Sequence, residues 1–208
     1  MNKLIAILLI FLIFGCKNIS NNNKAELTEK PELTEKSPEQ TEKWDFKHYL
    51  TKEIQYPLEK MNRKSISELD TGTLRVWRFP GGGAAFEQML EFKESNSELT
   101  FHSYVDEKYE TEIELAELNF SETIVDKGIK EKLKAIISDP NFINTEDSEK
   151  YCEPSWSCSD VYFIQYTNGK EIGQFVVNHN IEGCDNNNVE NSKNIFKIMN
   201  KVVKKYSR

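Results

Sequence analysis

The sequence predicts an α+β domain, an antiparallel sheet of about five to six strands with helices packed on one face. Three observations carry that expectation. Stretches that alternate apolar and polar residues at a period of two follow one another with only short turns between them. Helical-period apolar stripes stand before, between and after these stretches. Asn168-Gly169 separates two strand-like runs and is a strong hairpin signal, because both residues tolerate positive φ. Strands joined by short turns pair antiparallel, and a sheet with one apolar face buries it against helices.

The folded part begins at Trp44, where the composition turns abruptly aromatic and branched. Phe46, Leu50 and Ile54 recur at helical spacing, and Pro57 is expected to end or kink that helix near Tyr56. Residues 74–79, Leu-Arg-Val-Trp-Arg-Phe, read as a strand, followed by Pro80 and three glycines. Phe86, Gln88, Leu90 and Phe92 alternate with Glu87, Met89, Glu91 and Lys93, the pattern of a strand with one solvated face. A second alternation runs from Leu99 to Val105, and residues 110–118 read as a fourth strand through Ile113 and Leu115.

Asp126 is placed as an N-cap, with Ile129, Leu133, Ile136 and Ile137 on one helical face and Pro140 beyond its end. Val161 to Thr167 and Glu171 to Asn178 form the hairpin. Ile195, Ile198, Met199, Val202, Val203 and Tyr206 form the stripe of a closing helix, with Lys201, Lys204 and Lys205 where cations favour the C-terminal dipole. His48 and His102 read as surface residues of a helix and a strand, without a role.

A chain of 208 residues fits one domain plus attachments. Its net charge of −7, with Lys and Arg interleaved among acids, argues against nucleic acid as a partner, since phosphate neutralisation needs clustered cations.

Residues 1–16 begin with Met-Asn-Lys, continue apolar from Leu4 to Phe14, and end on Gly15-Cys16. These are the parts of a secretory signal, and the apolar run is shorter than the roughly 20 residues a spanning helix needs. Ile13-Phe14-Gly15-Cys16 resembles the lipobox of bacterial lipoproteins. That resemblance covers the first 16 residues only and implies cleavage before Cys16, a diacylglycerol on its thiol, and membrane lipid as a partner. The expected layout is a signal peptide over 1–15, lipidated cysteine and tether over 16–43, and a single α+β domain over 44–208. Lys17-Asn18 lacks the Asp that would resemble inner-membrane retention, and no acidic cluster follows that would resemble a surface-export signal. A lipid-anchored outer-membrane site facing the periplasm is therefore preferred, with the cell surface as the other placement.

From Lys17 to Lys43 the chain is Asn, Lys, Glu, Thr, Pro and Ser with almost no large apolar residue, too little to offset the entropy of ordering. Glu26-Leu27-Thr28-Glu29-Lys30 recurs as Glu32-Leu33-Thr34-Glu35-Lys36 and, degraded, as Glu39-Gln40-Thr41-Glu42-Lys43. Its period lies far below that of structural repeats and reads as a polar spacer. A flexible chain of this length reaches roughly 30 Å.

Cys152, Cys158 and Cys184 remain for the domain, and in an exported protein a disulfide is expected before a metal site. A hairpin turning on Asn168-Gly169, extended past its strand ends, puts Cys184 opposite Glu153 and Cys158 opposite His179. This favours Cys152 to Cys184 over the local Cys152 to Cys158 bridge, and leaves one cysteine over. The competing readings are a zinc site of Cys158, His179 and Cys184 with Glu182 nearby, which lacks any Cys-x-x-Cys or His-x₃-His spacing, and a thiol nucleophile with His179 as its base. No metal and no cofactor are expected.

Pro80-Gly81-Gly82-Gly83 lacks the Lys-Ser or Lys-Thr of a phosphate cradle and reads as a turn. Tyr151-Cys152-Glu153-Pro154-Ser155-Trp156-Ser157-Cys158 places aromatic residues in a loop held by a disulfide, where recognition concentrates. Tyr151, Trp156 and His179 are the binding candidates. The expectation is a non-enzymatic binding or interaction module that presents this loop and a sheet edge to a protein or small-molecule partner. An envelope hydrolase or thiol enzyme using a Cys/His pair is the alternative, and an immunity-type lipoprotein would differ from the first reading only in its partner.

Overall fold

A computed structural model describes residues 46–60, 63–81, 86–106, 116–153 and 159–207. Lys43–Arg208 forms one compact unit. Its elements are α1 (Phe46–Lys60), β1 (Thr73–Phe79), β2 (Phe86–Lys93), β3 (Glu98–Asp106), β4 (Ala116–Thr123), α2 (Lys127–Ile137), β5 (Val161–Thr167), β6 (Ile172–Asn178) and α3 (Glu190–Tyr206). No helix among the described residues is long and apolar enough to cross a membrane.

The fold is α+β. The six strands form one sheet in the order β4-β3-β2-β1-β5-β6, with every neighbouring pair antiparallel. The first four make a meander. The segment containing α2 then returns across β3, β2 and β1 to lay β5 against the far side of β1. The Asp126 carboxylate accepts from the Ile129 amide at 3.1 Å and starts α2. Ile129, Leu133, Ile136 and Ile137 are its buried residues. In α3, Phe196 joins Ile195, Ile198, Met199 and Val202 in the core, a member the predicted stripe lacked.

The helices are not confined to one face. Alpha-2 and α3 pack on Leu74, Val76, Leu90, Leu99, Phe101, Ile164, Phe175 and Val177. Alpha-1 packs through Leu50, Ile54 and Leu58 on Trp77, Met89, Tyr104, Phe163 and Val176, the alternate residues of the same strands. Its backbone comes close to both edge strands, β4 and β6. The face carrying Met89 and Glu91 is therefore covered rather than solvated. Alpha-1 also runs through Pro57 to Lys60. Proline removes one helical N–H bond and crowds the preceding turn, but the burial of Leu58 holds the last turn down, and the Arg63 amide closes it on the Leu58 carbonyl at 2.7 Å.

Two further expectations shift. Beta-4 occupies Ala116–Thr123, so the predicted fourth strand ends too early, and its residues 110–115, Ile113 and Leu115 among them, lie outside the described residues. The β5–β6 hairpin pairs Thr167 with Ile172, so Gly169 and Lys170, not Asn168 and Gly169, fill the turn. Gly169 takes φ of +84° at the first turn position. The Asn168 side chain accepts from the Lys170 and Glu171 amides at 2.9 and 2.8 Å, which explains why Asn precedes the turn instead of occupying it.

Beta-6 is an edge strand whose outer side is occupied. Asp147 Oδ1 accepts from the Val176 amide at 2.8 Å, and Ser148 Oγ from the Asn178 amide at 3.0 Å. Side chains thus end the ladder where another strand would add. At Gly173 the crossing segment passes so closely that a Cβ would stand 2.5 Å from the Ile143 carbonyl oxygen.

Candidate functional site

The short 3-10 turn Ser148–Lys150 ends at Tyr151, and the turn His179–Gly183 ends at Cys184. These two endings bring the cysteines together. Cys152 and Cys184 form a disulfide with Cα atoms 5.4 Å apart, spanning 32 residues. Cys152 is buried and Cys184 half-buried against the α2/α3 core. As half of a disulfide, Cys184 is neither a thiol nucleophile nor a zinc thiolate. Cys158 and Trp156 lie outside the described residues.

Tyr151 leans half-buried on the same core and donates its hydroxyl to Glu146, which also pairs with Lys150. The Lys150 bond and then the Tyr151 bond hold the Glu146 carboxyl below the usual carboxylate range. His179 is exposed and meets Phe196 edge-on, with ring centroids 5.9 Å apart. The observed hairpin register, continued past its end, sets His179 opposite Asp160 rather than Cys158, and that removes the geometric basis of the Cys158–His179 pair. Among the described residues no group of three or more His, Cys, Asp or Glu side chains is arranged to hold a metal.

Past the loop, the chain is fixed again at Asp160. Its carboxylate accepts from Arg78 Nε at 2.8 Å and from the Gly81 amide at 3.0 Å, and pairs with the Arg78 guanidinium at 2.7 Å. Arg78 also donates to Gln88 Oε1, whose amide nitrogen donates to Ser207 just past α3. Tyr162 donates to Asn200 at 2.6 Å, and burial pushes its hydroxyl up to about 12. The disulfide at one stem and Asp160 at the other thus secure the base of the loop that contains Trp156.

Sequence reasoning missed a second polar constellation, on the α1 face. Arg75, Glu91 and His102 are all nearly inaccessible, so His102 is not the surface residue its strand pattern suggests. Arg75 and Glu91 are register partners across β1 and β2, with Nε donating to Oε2 at 2.7 Å. Arg75 also donates to the Lys64 carbonyl at 2.8 Å. Lys93 and Arg63 approach the other Glu91 oxygen at 3.5 and 3.8 Å. Burial raises the Glu91 carboxyl, but the charge and hydrogen bond of Arg75, with Lys93 and Arg63, more than offset it and leave it below its usual value.

His102 Nδ1 faces Arg63 at 3.3 Å and Nε2 faces Thr100 Oγ1 at 3.1 Å. Burial and then the Arg63 charge depress its pKa to about 4, so the ring is neutral at pH 7. With Arg63 able only to donate, Nδ1 accepts and Nε2 carries the proton. Tyr104 stacks between Trp77 at 6.0 Å and His102 at 6.3 Å, and the Trp77 indole N–H donates to Gln165 Oε1 at 3.1 Å. The available signal was Arg75 between Leu74 and Val76 and Glu91 between Leu90 and Phe92, each of which reads as surface until the strands are paired.

No protein-family model matches the chain, and no curated protein matches it.

Proposed function

We propose that the chain is a lipid-anchored cell-envelope protein, held through Cys16 at the outer membrane facing the periplasm, whose folded domain binds a partner rather than catalysing a reaction. The observation that carries this reading is the Cys152–Cys184 disulfide. Stable disulfides belong to oxidising compartments outside the cytosol, and the signal-like residues 1–16 with Cys16 supply the route and the anchor. The same bridge and the Asp160 hydrogen bonds fix both stems of the loop containing Trp156. Fixed stems lower the entropy lost when a segment between them binds, which favours recognition there. The β6 edge, occupied by Asp147 and Ser148, is not the surface offered.

Cell fractionation of wild type and Cys16→Ser tests the anchor. Wild type sediments with membranes and Cys16→Ser does not; equal membrane association of both would refute it. For the binding role, crosslinking in cells followed by affinity capture should enrich a partner with wild type and lose it with Trp156→Ala. Unchanged capture by that variant would remove the loop from the account.

A further inference from the structure

Interleaved with acids along the chain, the lysines are sorted by the fold. Alpha-2 carries Lys127, Lys130, Lys132 and Lys134, with Glu131 as its only acid. Alpha-3 carries Lys193, Lys197, Lys201, Lys204 and Lys205, with Glu190 as its only acid. The two helices lie antiparallel over one core and are tied at both ends: Lys201 pairs with Asp126 at 3.3 Å, and Asn191 donates to Asp139 at 2.9 Å. Their apolar residues are buried beneath, so the lysines form the outer surface of one layer, seven of them exposed and Lys130 and Lys193 half-buried. Nine lysines against two glutamates make these 28 residues +7 in a chain whose total is −7, so everything outside the two helices sums to −14.

Local structure does not account for this charge. A cation near a helix C-terminus is favoured, which explains Lys204 and Lys205. Lys127 stands in the first turn of α2, which holds no acid, and there the same dipole opposes it. Lys130 with Lys134, and Lys193, Lys197, Lys201 and Lys205 in succession, are like charges four residues apart, which destabilise a helix. Among the described residues Lys201 alone of the nine has an ion pair. A layer that repels itself along both helices is complementary to an extended anionic surface.

All nine cations are Lys, and the only aromatic residues of the two helices, Phe196 and Tyr206, are buried and half-buried. Compact, hydrated point charges on flexible stems suit a diffuse field of headgroup phosphates, whereas bases are read by the planar fork of Arg and stacked on exposed rings. Val125, at 78% the most exposed large apolar residue among those described, adjoins the α2 cap at the rim of the layer. We propose that the lysine layer of α2 and α3 docks the domain on an anionic phospholipid surface. This rests on the reading of the chain as lipid-anchored: a lipid on Cys16 holds the domain near a bilayer, and confinement turns weak attraction into residence.

Cosedimentation of the Cys16→Ser chain over residues 16–208, which has neither lipid nor the apolar leader, tests the face alone. Phosphatidylcholine vesicles with about a third phosphatidylglycerol should retain it at about 0.1 M salt and release it at about 0.5 M, where charges are screened, and pure phosphatidylcholine should not retain it. Replacing Lys127, Lys193 and Lys197 together by Gln should lower partitioning on the order of a hundredfold, at roughly fivefold per lysine. That variant should fold at least as stably as wild type, since it removes a cation the dipole opposes and two like charges in succession. The same change away from the layer, at Lys52, Lys64 and Lys170, should leave partitioning as it was. The proposal is overturned if anionic vesicles retain no more of the chain than neutral ones, if both triple variants lose binding equally, or if the layer binds duplex DNA or a second copy of the chain in place of anionic vesicles. The anchor is read separately, because a lipidated chain stays on membranes at about 0.5 M salt whether or not the face binds.

Discussion

Under α2 and α3 the sheet presents Leu74, Val76, Leu90 and Phe101, whereas under α1 the same strands present Arg75, Trp77, Glu91 and His102. All eight are nearly or wholly inaccessible. The first face gains from removing apolar area from water, in proportion to that area and without direction. The second contains charges whose burial is tolerated only because each is paired in a fixed geometry. Alternate residues of one strand therefore answer to different physics, and the two faces should respond differently to the same kind of damage.

The largest contrast is expected at Glu91. Glu91→Ala leaves the Arg75 guanidinium buried and unpaired, and should cost about 3–5 kcal/mol in urea unfolding. Replacing Arg75 and Glu91 together by Met and Leu should restore most of that loss, because the penalty lies in the orphaned charge. Leu133→Ala on the other face should cost about 3 kcal/mol, with no second substitution of this kind to rescue it. A double variant as unstable as Glu91→Ala would erase the distinction.

Acid sharpens the same comparison. His102 is held neutral in the fold at about 4, against an ordinary value of 6.5. Between those values the unfolded chain takes up a proton that the folded chain refuses, so stability falls as pH drops from 6.5 to about 4. The full effect is on the order of 3 kcal/mol. Glu91 adds to it at lower pH, since its depressed carboxyl contributes stability above its unfolded value and loses it as the folded value is passed. His102→Gln should flatten the upper part of the profile; an unchanged slope between pH 6.5 and 4 would place the acid response elsewhere. The smallest effect is expected at Gly173→Ala, where the added methyl meets the Ile143 carbonyl and should cost about 1–3 kcal/mol by chemical denaturation, without changing the acid profile.

The elements easiest to read in the sequence were those set by local chemistry. Asp126 caps α2 through an amide three residues away, so the signal and its cause lie in one short window. The hairpin was equally visible, but its register moved by one residue because Gly169 takes the positive φ and Asn168 caps the turn from outside. The position of α1 was not legible. Glu87, Met89, Glu91 and Lys93 alternate as a solvated face does, and only pairing with β1 and β3 shows Arg75 facing Glu91 and His102 buried opposite Met89. The disulfide choice came out right although the observed register, continued past the strand ends, does not set 152 opposite 184; the approach of the two cysteines depends on the two 3-10 turns that end there. Buried charge pairs look like surface in a linear sequence, since each partner lies on another strand.

The account as a whole requires a chain that left the cytosol, received its lipid and closed its disulfide. Intact-mass analysis of the protein extracted from membranes without reductant tests this most directly. The account predicts a chain beginning at Cys16, heavier by a diacylglycerol group and any further acyl chain, with two hydrogens fewer from the Cys152–Cys184 bridge and Cys158 outside that bridge. A chain that retains Met1, or one with no lipid and three free thiols in the domain, would contradict it.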